Sequence, residues 1–165
     1  TRIRVAAVVQ QRLLEFSRSG VAAADSDRRT AQLRKVAVLL RSLPLETRGA
    51  LMTSLDKNDP AACGRVKELM VIWDDLPIIA DRALQEVLRG IDSRKLALAL
   101  MNAQEDTVKK IRGNMSERAA AMLDEETSLL ASPKAGEIEA AREGMLKLLR
   151  ELNEAGSLEF QEPAA

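Results

Sequence analysis

Histidine and tyrosine are absent from the 165 residues, and cysteine and tryptophan occur once each. Without histidine the chain lacks the most frequent general base and the most frequent metal ligand. A lone cysteine, Cys63, excludes an internal disulfide and fits a reducing compartment. It lies at helical spacing among Pro60, Val66 and Leu69, where a small buried hydrophobe is the expected role. No glycine-rich phosphate loop, Gly-x-Ser-x-Gly turn or Asp-rich calcium loop occurs, so catalysis would rest on carboxylates or lysines alone. Lys plus Arg equals Asp plus Glu at 25 each, and the missing basic excess argues against nucleic acid as a partner. No apolar run approaches the roughly 18–20 residues of a membrane helix. Strand-like alternation is missing too, except for an extended tail at "SLEF".

What is present is helical rhythm. Hydrophobic residues make up 46% and charged residues 30%, the balance of a soluble helical chain with a real core. Ile3, Val5, Val8, Val9, Leu13, Leu14 and Phe16 follow helix spacing until Gly20. This N-terminal stretch has charges inside it and no cleavage-like segment, so it does not read as a signal peptide, and the missing initiator Met points to a fragment. "GVAAADSDRR", residues 20–29, is small and polar and reads as a linker, with Thr30 capping a second helix through Leu33, Val36, Leu39 and Leu40. Pro44 stands near the start of a third helix, running to Leu55. Asp59 before Pro60 is a cap followed by a first-turn proline, opening a helix that ends near Met70.

"MVIWDDLPIIAD", residues 70–81, breaks the rhythm with an apolar run, Asp74 beside Asp75, and Pro77. Beyond it the spacing predicts a helix capped by Asp81 and ending at Gly90, one capped by Asp92, one around Val108 and Ile111 ending at Gly113, and one capped by Ser116. "ASPKAG", residues 131–136, is a loop. The last helix carries Ile138, Ala141, Met145, Leu148, Leu149 and Leu152 on one stripe, with Gly156 just past its end. "LLRSL" at 39–43 and "VLRGI" at 87–91 echo each other at about the period of an armadillo or HEAT repeat. Chance similarity between Leu- and Arg-rich helices gives the same echo, so repetition stays open.

Two stretches raise functional alternatives. In "NMSERAAAMLDEE", residues 114–126, Arg118 and Glu125 are seven positions apart, about 20° in direction and about 10.5 Å along an ideal helix. They share a face without reaching each other, which suits either an ordinary solvated surface or a row meeting separate charges on a partner. Glu126 points about 80° from Arg118. Met70 to Trp73 is either core leading into a turn or a hinge. Asp74 and Asp75 are better suited to caps or turn contacts than to acid–base work.

"MVIWDDL", "DRALQEVLRGIDSRKLALALMNA", "NMSERAAAMLDEE" and "EAAREGMLKLLRELNEAGSLEF", in that order and spacing, resemble the C-terminal half of the bacterial flagellar motor switch proteins of the FliG family. Asp81 to Glu126 is the most specific block. The family's Met-Phe-x-Phe hinge stands here as Met70, Val71, Ile72 and Trp73. The EHPQ motif of the family's middle domain is absent, as expected of a fragment beginning after it. The resemblance implies an all-α fold, an armadillo-like right-handed helical superhelix followed by a C-terminal helical domain. Its parts would be 1–19 as the terminal helix of the middle domain, 20–29 as linker, 30–70 as the armadillo-like unit and 77–160 as the stator-facing domain.

The same resemblance assigns stator contact to Arg118, Glu125, Glu126 and Lys134; a further family lysine falls on Met101, so one charge of the set is missing. It implies the stator protein MotA, the switch protein FliM and neighbouring FliG subunits as partners. The location would be cytoplasmic, peripheral to the inner membrane at the flagellar basal body. No cofactor, metal or enzymatic activity is implied. A competing resemblance is to the helical regulatory domain of a magnesium transporter, which would call for clustered acidic residues and a downstream membrane domain. The apolar stripes of 1–19 and 30–70 are more than short units bury alone, so the chain is expected to self-associate with rising concentration. A strict monomer in analytical ultracentrifugation at high concentration would count against this.

Overall fold

The computed structural model describes residues 24–161, and the expected helix at 1–19 lies outside them. Within the described residues the chain is all-α, with eight α-helices, one short 3-10 segment and no strand. It divides into two compact units between Met70 and Val71.

The first unit contains α1 (Ala24–Arg41), α2 (Leu45–Asn58) and α3 (Pro60–Met70). Helix α1 begins at Ala24, not at Thr30, so residues 24–29 of the expected linker are helical and 20–23 lie outside the described residues. Its apolar face starts only at Leu33; Leu33, Val36, Ala37 and Leu40 are buried at positions i, i+3, i+4 and i+7. Helix α3 packs against both neighbours with Cys63, Val66 and Met70 buried along one stripe. Cys63 is a buried thiol in no disulfide, its Sγ 3.7 Å from the Met52 carbonyl oxygen. Asp59 accepts a 2.9 Å hydrogen bond from the Ala62 amide, and Pro60 takes the first helical position, where no amide hydrogen is needed. At the other end of α3, the Met70 carbonyl accepts from Arg41 Nη1 at 2.9 Å and Arg34 Nη1 at 3.3 Å, and Arg34 also donates to the Leu69 carbonyl.

The second unit opens with a 3-10 segment, Trp73–Ile78, followed by α4 (Asp81–Gly90), α5 (Ser93–Leu100), α6 (Glu105–Gly113), α7 (Glu117–Leu129) and α8 (Ala135–Glu154). The 3-10 turn is held by Asp75, a buried carboxylate whose Oδ2 accepts from the Ile72 amide at 3.0 Å, while Asp74 is exposed. The long α8 packs on α4 and α5, and α7 packs on α5. The buried residues of α8, Met145, Leu146, Leu149 and Asn153, form a face turned by about 60° from the expected stripe, and Ile138, Ala141, Leu148 and Leu152 of that stripe are half-buried. A Schellman motif closes it: Ser157 N donates to Leu152 O at 2.9 Å and Gly156 N to Asn153 O at 3.1 Å, with Gly156 at φ 74°. The extended tail then pairs back, Phe160 bridging antiparallel to Ile79, with Ala80 N donating to Glu159 O at 2.9 Å.

Core burial ranks the side chains. Leu149 is 0% exposed, so Leu149→Ala should cost the second unit about 2–5 kcal/mol in urea unfolding. Leu129 is 70% exposed, and Leu129→Ala should stay within about 0.5 kcal/mol.

Candidate functional site

Helix α7 is held by polar links at its start and middle together with its packing on α5. It buries one residue, Leu123. Ser116 caps its start, accepting from the Ala119 amide at 3.2 Å. The turn before it is fixed by a polar network: Asn114 Nδ2 donates to Asp81 Oδ1 at 2.9 Å and to the Lys110 carbonyl at 2.9 Å, while Gln85 Nε2 donates to Asn114 Oδ1 at 3.0 Å. Lys110 Nζ pairs with Asp81 Oδ1 at 2.7 Å. Asp81 therefore does not cap α4 as expected; Ala80 occupies the cap position, and the Asp81 carboxylate ties α4 to α6 instead. One further link, an ion pair from Arg112 to Asp124, holds the middle of α7 to α6.

The expected contact residues lie away from these ties. Arg118 and Glu125 are exposed on α7, Glu126 is half-buried, and Lys134 is exposed at the N-terminal cap position of α8. The Lys134 amide donates to Glu137 Oε2 at 2.8 Å, leaving its side chain outside that bond. Among the described residues, none of these four side chains makes an ion pair, in contrast to Asp124 beside them. Met101 is a half-buried residue just past the end of α5, and Asn102 after it turns the chain with φ 56°.

The junction residues sit differently from the charges. Met70 and Val71 are buried, while Ile72 and Trp73 are half-buried. The Val71 carbonyl accepts from Arg150 Nε at 3.3 Å, and the Arg142 guanidinium lies 4.8 Å from the Trp73 ring centre. Arg142 also donates to the carbonyls of Ala99 at 2.9 Å and Met101 at 2.8 Å. Sequence reading missed these arginines, since guanidinium groups on inner flanks look like surface charge in a linear pattern. Their signal was position: Arg142 adjoins Ala141 and Arg150 adjoins Leu149 on the apolar side of α8.

The FliG C-terminal domain model matches residues 53–160. The chain belongs to this family. Among related proteins, the flagellar motor switch protein FliG of Aquifex aeolicus is 34% identical over 124 residues, covering 75% of this chain and 38% of that protein. The FliG of Thermotoga maritima is 33% identical over 122 residues, 74% of this chain and 36% of that protein. The chain thus spans a little over a third of the length of these relatives. Among solved structures, full-length FliG from Aquifex aeolicus superimposes with a TM-score of 0.67 at 29% identity, covering 87% of this chain and 42% of that one. Residues 116–343 of the H. pylori FliG superimpose at 0.57 with 28% identity, covering 77% and 56% respectively. Among the described residues no helix is long and apolar enough to cross a membrane.

The tie beneath α7 has a pH signature. Hydrogen bonds from Lys110 and then Asn114, together with the Lys110 charge, hold the Asp81 carboxyl below its ordinary 3.8, against a smaller opposing effect of desolvation. A carboxylate with a depressed folded pKa contributes stability above its unfolded pKa and loses it as pH falls through the folded one. Lys110→Met should therefore raise the Asp81 pKa toward its ordinary value in an NMR titration. An unmoved titration would show that Lys110 does not hold it.

Proposed function

We propose that this chain is the force-receiving and switching part of a flagellar rotor protein. Torque from the stator protein MotA enters through α7 and the start of α8, at Arg118, Glu125, Glu126 and Lys134. Direction changes pass through the junction at Met70, Val71, Ile72 and Trp73. The switch protein FliM and neighbouring FliG subunits complete the ring, in the cytoplasm and peripheral to the inner membrane at the flagellar basal body. Family membership favours this over a transporter regulatory domain.

The observation that carries the reading is the partition of charge on α7. Asp124 is spent on Arg112, while Arg118, Glu125 and Glu126 lack an ion pair within the described residues. A surface row that is unpaired at home can pair across an interface, where complementarity sets register and speeds encounter. The resemblance places one further lysine of the family on Met101, so the row proposed here has four charges. Carbonyl ties support the hinge: Met70 O is held within the first unit by Arg34 and Arg41, and Val71 O within the second by Arg150. Backbone rotation is then concentrated in the torsions between those two carbonyls.

Reversing Arg118 and Glu125 together should leave folding within about 0.5 kcal/mol per site and abolish torque. Compensating reversals in the stator should restore swimming. Wild-type speed at high load in a normally folded double variant would remove these residues from the function. At the junction, Trp73→Ala should cost less than the about 3–5 kcal/mol of a wholly buried aromatic, because the ring is only half-buried. It should broaden the distances between spin labels on the two units. Unchanged distances would reject the hinge.

A further inference from the structure

Arg142 on α8 touches two places that are distant in the sequence: Trp73 in the 3-10 segment and the carbonyls at the end of α5. Helix α5 is eight residues long and has no basic residue in its last turn, so its final carbonyls carry the negative end of the helix dipole without a local cation. Arg142 supplies that cation from another helix. Its Nε donates to Ala99 O at 2.9 Å and its Nη2 to Met101 O at 2.8 Å, so one edge of the guanidinium spans both carbonyls. The flat face is left for Trp73, whose ring centre lies 4.8 Å from the guanidinium carbon.

The chain turns directly after these carbonyls. Asn102 has φ 56°, a left-handed conformation that asparagine enters more readily than most side chains but still at a cost. Within the turn, Met101 N donates to Leu98 O at 3.2 Å and Ala103 N to Leu100 O at 3.0 Å. Arg142 braces this short turn from outside. Edge and face belong to one rigid plane, so they cannot be set independently: a ring that leaves the face frees the plane to rotate, and rotation draws the edge donors off the carbonyls.

We propose that Arg142 is a positioning residue that couples the placement of Trp73 to the turn between α5 and α6. Displacement of the ring loosens the chain from Met101 to Ala103. All the participants lie in the second unit, so the coupling holds whether or not the junction bends. Trp73 stands just past the division between units, and a change there is relayed into the domain through one side chain.

The test follows amide hydrogen exchange of the full chain by NMR at Met101 and Ala103, with Leu123 in α7 as the control for general loss of stability. Trp73→Leu should speed exchange at the two turn amides about threefold relative to Leu123. Trp73→Phe keeps an aromatic face and should exchange at the wild-type rate. Arg142→Lys keeps the charge but replaces the planar fork by a point donor, and adding Trp73→Leu to it should bring no further acceleration. The same acceleration by Trp73→Leu in the Arg142→Lys background would show a route that bypasses the guanidinium and overturn the proposal. Unchanged exchange in Trp73→Leu, or an equal rise at Leu123, overturns it as well. Should Arg142→Lys fail to fold, the comparison of Trp73→Phe with Trp73→Leu decides, and equal turn exchange in those two overturns the coupling.

Discussion

Guanidinium groups reaching the carbonyl ends of helices organise much of this protein. Every α-helix leaves its last carbonyls without partners inside the helix, and an all-helical fold has no sheet to absorb them. Here Arg34 and Arg41 close the end of α3 at Leu69 and Met70, and Arg142 closes the end of α5 at Ala99 and Met101. Arg150 holds Val71 just beyond the division between units. Arginine suits the task because its planar fork offers several donors and stays charged at any relevant pH. With so few aromatics to fill space, these ties locate helix ends that apolar packing alone would hold less specifically.

That economy explains why α7 has a free face. A helix fixed by burial would present a broad apolar stripe inward, and α7 buries Leu123 alone. Its place comes from polar links near its start and middle: the Ser116 cap, the Asn114 turn tied to Asp81 and Lys110, and the Arg112–Asp124 pair. The remaining surface is relieved of structural duty. Arg118 and Glu125 contribute little to folding where they stand, as expected of exposed charges.

The all-α class and most helix starts were legible in the sequence because they are local. Asp59 with Pro60, Asp92, Ser116 and Gly156 each act within a few residues, and each does what its spacing implied. Signals that act across the fold were not legible. Helix α1 starts at Ala24 although "GVAAADSDRR" resembles a linker, because residues 26–32 bury nothing and so show no apolar period; Asp27 near that opening favours a helix N-terminus through the helix dipole. Asp81 looked like a cap, yet its partners Lys110 and Asn114 lie about thirty residues on, beyond any local pattern. At the candidate site, the shared face of Arg118 and Glu125 followed from spacing alone. That Asp124 is paired while its neighbours are not required the structure.

Exposed charge on α7 also bears on how the proposed contact works. A surface that must engage and release repeatedly gains from fast encounter, which long-range charge supplies, and loses from large buried area, which slows release. Exposed charges such as Arg118 and Glu125 suit that need without building the broad apolar interface of a permanent complex. Because Leu123 is the one buried residue of α7, substitutions on the outer stripe leave the core untouched. Exposed positions such as Arg118 and Glu125 can therefore vary while the fold beneath stays constant. Burial and exposure are separated on a single helix by the direction in which each side chain points.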